Sequence, residues 1–263
     1  MDLGLSDKVA LVTAASKGIG YGTAKVLAKE GCKVCICSRT KEIEKAADSI
    51  KKETGNKNIL ALQADLTVEA DIEKLITSIK SAYGDVQILA YNTGGPKVGS
   101  FLDLSNEDWE QGFNLLLMSA VWLTKRVVRP MRAAKWGRIV YITSTTLKQP
   151  IRNLVLSNVI RLSIAGLSKD LSSEFGPDGI TSNLLMQGSI LTERQVAITK
   201  DYAKRSGLSY ENAEETRLAE IPARRFGTAE DVGNIVAFLC SKQASYVNGA
   251  TLLVDGGLIK SVF

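Results

Sequence analysis

Two features of the chain bear directly on chemistry: a glycine turn behind an apolar run, and a complete lack of histidine. Residues Thr13-Ala14-Ala15-Ser16-Lys17-Gly18-Ile19-Gly20 follow the apolar run at 9–12 and lead straight into a helical pattern. A turn in that place aims backbone N–H groups and a helix N-terminus at a pyrophosphate. Gly18 and Gly20 let the backbone approach a ligand and the helix approach the strand. A tight turn needs no ligand by itself; the strand before it and the helix after it are what point to a nucleotide. The first glycine of the usual pattern is Ala14 here, so some local rearrangement of the turn is expected. At the end of the second apolar run stand Ser38, Arg39 and Thr40, where an acidic residue would bond a ribose 2′-hydroxyl. With Lys17 in the first turn this makes two cations and no carboxylate, a setting suited to a 2′-phosphate. NADP(H) is therefore expected over NAD(H), the competing reading being two ordinary surface cations.

The missing histidine removes whole reaction classes. Ser-His-Asp and Cys-His nucleophiles, HExxH zinc sites and histidine pH switches are all excluded. Cys32, Cys35 and Cys37 lie along an apolar run that reads as a strand, and Cys240 stands far off. No second ligand cluster accompanies them, so buried free thiols in a reducing cytoplasm are expected and no metal site is. The 33 basic and 28 acidic residues leave a net charge of +5, too weak to imply nucleic acid. No run approaches the roughly 18 apolar residues of a membrane helix, and the opening Met1-Asp-Leu-Gly-Leu-Ser-Asp lacks a basic leader.

The elements that must position these residues alternate from end to end. Short apolar runs at 9–12, 34–37, 59–62, 86–90, 139–142, 180–186 and 252–254 read as strands. Helical periodicity appears at 22–30, 41–52, 69–82, 157–175 and 229–240, for example in Ile72, Leu75, Ile76 and Ile79. Strands apolar on both faces and separated by helices describe one doubly wound α/β domain spanning 1–263, with about seven parallel strands and helices on both faces. The exception is a charged insertion at 191–226. Long connections at the carboxyl edge of such a sheet are commonly lids, which sets a substrate lid against a solvated helix pair.

With these residues in place, the whole chain resembles the short-chain dehydrogenase/reductase family, in its classical type. The turn from Thr13 to Gly20 matches the family's Thr-Gly-x-x-x-Gly-x-Gly, with Asp65-Leu66 as the adenine-binding pair after the third strand. Tyr91-Asn92-Thr93-Gly94 keeps the second Asn and the Gly of the Asn-Asn-Ala-Gly signature. Asn114 matches the active-site helix asparagine, and Ser144 the strand-end serine. Gly188-Ser189-Ile190-Leu191-Thr192 matches the stretch that contacts the nicotinamide amide, with Gln187 where the family has proline. The resemblance implies a Rossmann-like fold and hydride transfer between a nicotinamide and a carbonyl or alcohol. It also implies a homo-oligomer, a tetramer formed through the helix at 157–175 and the apolar C-terminal stretch 252–263.

The same resemblance exposes a departure. The family's Tyr-x-x-x-Lys falls on Ser157 and Arg161. A phenol titrates near 10, whereas an alkyl hydroxyl is far less acidic, so Ser157 is a poor general acid. Arg161 can still bond the nicotinamide ribose and stabilise a developing alkoxide, but it stays protonated and relays nothing. Lys148, four residues after Ser144, is the first substitute proton donor, its competing reading being a solvated loop lysine. Tyr91 is the second, although packing beneath the cofactor suits it better. Two functions follow. One is an NADP(H)-dependent oxidoreductase with a modified acid, similar to 3-oxoacyl reductases or to sugar and polyol dehydrogenases. The other is a nucleotide-binding sensor or assembly protein that has lost hydride chemistry.

Overall fold

In the computed structural model, which describes residues 2–262, the apolar runs form seven strands. They are β1 (Val9–Val12), β2 (Lys33–Ser38), β3 (Ile59–Gln63), β4 (Ile88–Tyr91), β5 (Gly137–Ser144), β6 (Ile180–Gln187) and β7 (Thr251–Val254). Met1 and Phe263, the outermost residues of the terminal stretches considered above, lie outside the described residues. All seven strands pair in parallel in the order β3-β2-β1-β4-β5-β6-β7. The chain runs outward from β1 to β3, then returns to place β4 on the other side of β1. That reversal opens a crevice at the carboxyl ends of β1 and β4, the general ligand position of open α/β sheets.

Alternation along each strand feeds two apolar layers. Ala10, Val12, Ile36 and Ile142 face α1 (Gly18–Lys29), α2 (Glu42–Thr54) and α9 (Ala229–Cys240), which contribute Leu27, Ile43, Ile50 and Val236. Leu11, Cys35, Leu89 and Tyr141 face α3 (Glu69–Tyr83), α5 (Ser119–Ala133) and α6 (Val155–Phe175), which contribute Ile72, Leu75, Leu123 and Ile164. The sheet is thus covered on both sides. All four cysteines are free and buried, and burial pushes the thiols of Cys32, Cys35 and Cys37 up to about 12. They are packing residues that stay protonated, as the sequence reading expected.

Three features depart from or add to that reading. The helices α4 (Asn106–Phe113) and α5 were not apparent from apolar spacing, although Ser105 and Asp108 form a reciprocal capping box at the start of α4. Between α4 and α5 the chain takes one π-helical turn, Asn114–Met118, in which the Ser119 N–H reaches back to the Asn114 carbonyl. The insertion folds as two further helices, α7 (Glu193–Ser206) and α8 (Tyr210–Glu220), above a neck where Ile190 bridges Gly227. Among the described residues no helix is long and apolar enough to cross a membrane.

Candidate active site

The glycine turn sits where β1 runs into α1. A Cβ on Gly20 would overlap the Ala14 carbonyl, so the turn closes only around glycine there. Gly18 takes φ +60°, and a Cβ on it would lie 3.3 Å from the Thr192 methyl. Ala14, where the usual pattern has glycine, takes a left-handed backbone that favours glycine, at φ +48°. That conformation costs an L-residue about 1–2 kcal/mol. Ala14→Gly is accordingly expected to raise Tm by roughly 2–4 °C in a calorimetric scan. An unchanged or lower Tm would contradict the strain.

Thr13 and Asn92 tie the ends of β1 and β4 together. The buried Thr13 hydroxyl donates to the Asn92 carbonyl at 2.6 Å and accepts from the Asn92 N–H at 2.8 Å. Thr13 therefore braces the crevice rather than lining it. Ser16 and Ile19 are half-buried within the turn, and Lys17 is exposed. At the β2 end, Ser38 bonds the Thr40 carbonyl, and the exposed Arg39 holds Gln63 through its main chain. Asp65 is half-buried and its carboxylate accepts from the N–H and hydroxyl of Thr67, which fixes it beside buried Leu66.

On the other side of the crevice, Ser144 closes β5 and its hydroxyl accepts from the Thr146 N–H at 3.2 Å. Thr146 in turn shares a 3.3 Å hydrogen bond with Ser157 in the first turn of α6, both side chains being buried. The structure thus joins Ser144 and Ser157 through a threonine that sequence reasoning had not singled out. Lys148 follows in the same loop, half-buried. That loop is pinned to α6, because Asn158 both accepts from the Ile151 N–H and donates to its carbonyl.

One turn along α6 lies Arg161, only 8% exposed. Its guanidinium donates to the Thr93 hydroxyl at 3.5 Å, and its Nε–H has no partner. Burial pushes its pKa down to about 10. A buried cation held this weakly costs the ligand-free protein stability and is poised to bond something else. Tyr91 stands nearby but is ruled out as an acid by its surroundings. It is fully buried, its hydroxyl contacts the Leu115 and Leu116 carbonyls and Ser119, and burial raises its pKa. Its role is to anchor the π turn that begins at half-buried Asn114.

The stretch 188–194 completes the crevice. Gly188 bonds the Val254 carbonyl and leaves no room for a Cβ, which would lie 2.6 Å from the Asp255 Cβ. Ile190 is buried, while Thr192 caps α7 by accepting from the Gln195 N–H. The next two residues were not anticipated. Glu193 reaches back to Lys17 at 2.5 Å, and the guanidinium of Arg194 covers Gly95, where a Cβ would overlap it. Nothing in the periodicity of the insertion marks either residue; only their place just after Thr192 hints at the crevice. Around Gly94 there is open space.

These residues fit a dinucleotide. The glycine turn offers a cradle that side chains would fill, Arg39 supplies a cation at the β2 end while Lys17 of the turn is bonded to Glu193, and the orphaned Arg161 Nε–H points to a missing acceptor.

Comparisons with known proteins agree with this geometry. Residues 13–259 match the family model described as enoyl-(acyl carrier protein) reductase. The chain is 34% identical over 251 residues to the 3-oxoacyl-[acyl-carrier-protein] reductase of Escherichia coli, covering 95% of this chain and 97% of that protein. It is 29% identical to the NADPH-dependent reductase BacG of Bacillus subtilis, over 98% of this chain and all of that one. Its structure superposes on L-sorbose reductase from Gluconobacter frateurii, solved with NADPH and L-sorbose, with a TM-score of 0.94, 31% identity and full coverage of both chains.

Proposed function

Because the chain belongs to the short-chain dehydrogenase/reductase family, we propose that it is an NADP(H)-dependent oxidoreductase interconverting a carbonyl and an alcohol, with a proton donor other than tyrosine. The observation that carries this reading is the linkage from half-buried Ser144 through Thr146 to buried Ser157, beside the under-bonded Arg161 at the carboxyl edge of the sheet. The NADPH in the names of similar proteins supports the cofactor preference, as does Arg39.

When bound, the reduced nicotinamide supplies the hydride. Ser144 donates a hydrogen bond to the carbonyl oxygen and so polarises it. Arg161 bonds the nicotinamide ribose and stabilises the negative charge that grows on that oxygen. Lys148 supplies the proton, and Asn114 holds the water that reconnects the site to solvent. Ser16, Gly18, Ile19, Gly20, Asn92, Gly94, Gly188, Ile190 and Thr192 line the cofactor, with Ser38 and Arg39 at the 2′-phosphate and Asp65 and Leu66 at the adenine. The segment 191–226 acts as a substrate lid, supported by the contact of Thr192 and Glu193 with the glycine turn. A homotetramer is supported by Val159 and Leu162, which leave apolar surface on the outer face of α6. Four reduced, buried thiols suit the cytoplasm.

The replaced Tyr and Lys favour a second reading, a nucleotide-binding sensor or assembly protein. An NADPH-oxidation screen over ketoacyl, sugar, quinone and diketone substrates separates the two. Turnover is expected with at least one class, and NADPH is expected to bind at least 10-fold tighter than NADH, the worth of one charge-assisted contact. Nucleotide binding without turnover on any class favours the sensor, and equal affinities overturn the NADP(H) preference.

A further inference from the structure

We propose that Arg194, with the charge of Arg161 behind it, receives a permanent oxyanion of the substrate, so that the carbonyl compound carries a carboxylate or a phosphate. This rests on the oxidoreductase reading given above. Arg161 is nine-tenths buried and aimed at Thr93, with its Nε–H unpartnered. Two residues further along the same loop, Gly95 is overlain by the Arg194 guanidinium, and only glycine leaves that space. The two cations lie close enough for Arg194 to depress the pKa of Arg161. Neither forms an ion pair with a carboxylate among the described residues, and the adjacent Glu193 is already paired with Lys17.

Two like charges facing one loop repel, each disfavouring the other's charged form, and a bound anion offsets both. The pyrophosphate has its own cradle at the glycine turn, and the 2′-phosphate has the exposed Arg39. The remaining anion is then one that arrives with the substrate. A guanidinium suits it, since its planar fork bonds two oxygens of a carboxylate or phosphate together. Arg194 stands in the first turn of α7, so the inserted segment carries it over the loop at Gly95. Arg161 sits deeper, where it serves the reacting oxygen.

The test compares two matched pairs on the protein–NADPH complex: acetoacetate with methyl acetoacetate, and dihydroxyacetone phosphate with dihydroxyacetone. Binding is read by the change in NADPH fluorescence, and turnover by NADPH oxidation. At least one anionic member is expected to bind at least 10-fold better than its neutral partner, and the pair that does so tells carboxylate from phosphate. In Arg194→Gln and in Gly95→Ala, which displaces the guanidinium, that preference falls toward one; Arg194→Lys keeps part of it. Anion binding without NADPH oxidation would remove the oxidoreductase reading and leave this inference standing. It is overturned if neither pair shows a preference, if the preference survives Arg194→Gln, or if that variant weakens NADPH binding as much as anion binding.

Discussion

Arg161→Met is expected to stabilise the ligand-free protein while lowering NADPH-dependent turnover about 100-fold or more. The guanidinium is buried with one long hydrogen bond, to Thr93, and an unpartnered Nε–H. Removing an imperfectly paired buried charge in favour of an apolar side chain of similar length typically gains about 1–4 kcal/mol. The same change removes the donor to the ribose and the charge facing the reacting oxygen, an effect worth about 10²–10³ in kcat for a single oxyanion donor. The pH dependence carries the same sign. The folded-state pKa of about 10 lies below the ordinary guanidinium value, so the unfolded chain binds more protons between the two. Wild-type stability should therefore rise with pH across that window, with the full cost of burial present below it, and the methionine variant should lose that rise. Denaturant unfolding without nucleotide and a turnover assay read the two halves separately. A less stable variant would make Arg161 a brace for Thr93 and not a residue held ready for a ligand.

The sheet was legible because a doubly wound fold buries its strands on both faces. Runs such as Val9–Val12 and the 139–142 core of β5 then stand out against amphipathic helices. Edges were less clear. The 86–90 run pairs as a strand only from Ile88, although Gln87 already donates its N–H to the Val9 carbonyl. The π turn at Asn114 was invisible, since its cause lies across the molecule in the Tyr91 hydroxyl that holds the Leu115 and Leu116 carbonyls. In the site, the glycine turn could be read from its place between strand and helix. The contacts of Thr146, Glu193 and Arg194 could not, because they join residues that only the tertiary fold brings together. Ala14 is an instructive middle case. Its departure from the glycine pattern was plain in the sequence, but the strain it carries at φ +48° was not.

Lys148→Ala is expected to lower kcat for carbonyl reduction by about 10²–10⁴, the usual worth of a general acid, with NADPH affinity little changed. The other candidate acids of the crevice are each occupied otherwise. Tyr91 is sealed beneath the π turn, Arg161 is given over to Thr93 and the nicotinamide ribose, and Ser157 is an alkyl hydroxyl bonded to Thr146. Lys148 remains, in a loop fixed by Ser144 at one end and by the Asn158–Ile151 hydrogen bonds at the other. The loss alone would not separate a missing proton from a loosened loop, so the decisive measurement is a rescue. Ser157→Tyr with Arg161→Lys, added to Lys148→Ala, supplies a phenol of ordinary pKa near 10 beside a lysine one helical turn away. Filling the buried space at Ser157 should cost roughly 1–3 kcal/mol through overpacking, a loss a thermal scan will show. Turnover should nevertheless recover at least 10-fold over Lys148→Ala, because the new acid reaches the same polarised carbonyl at Ser144. Wild-type turnover in Lys148→Ala would end the case for this lysine. A folded triple variant with no recovery would mean that the barrier in Lys148→Ala lies somewhere other than the proton.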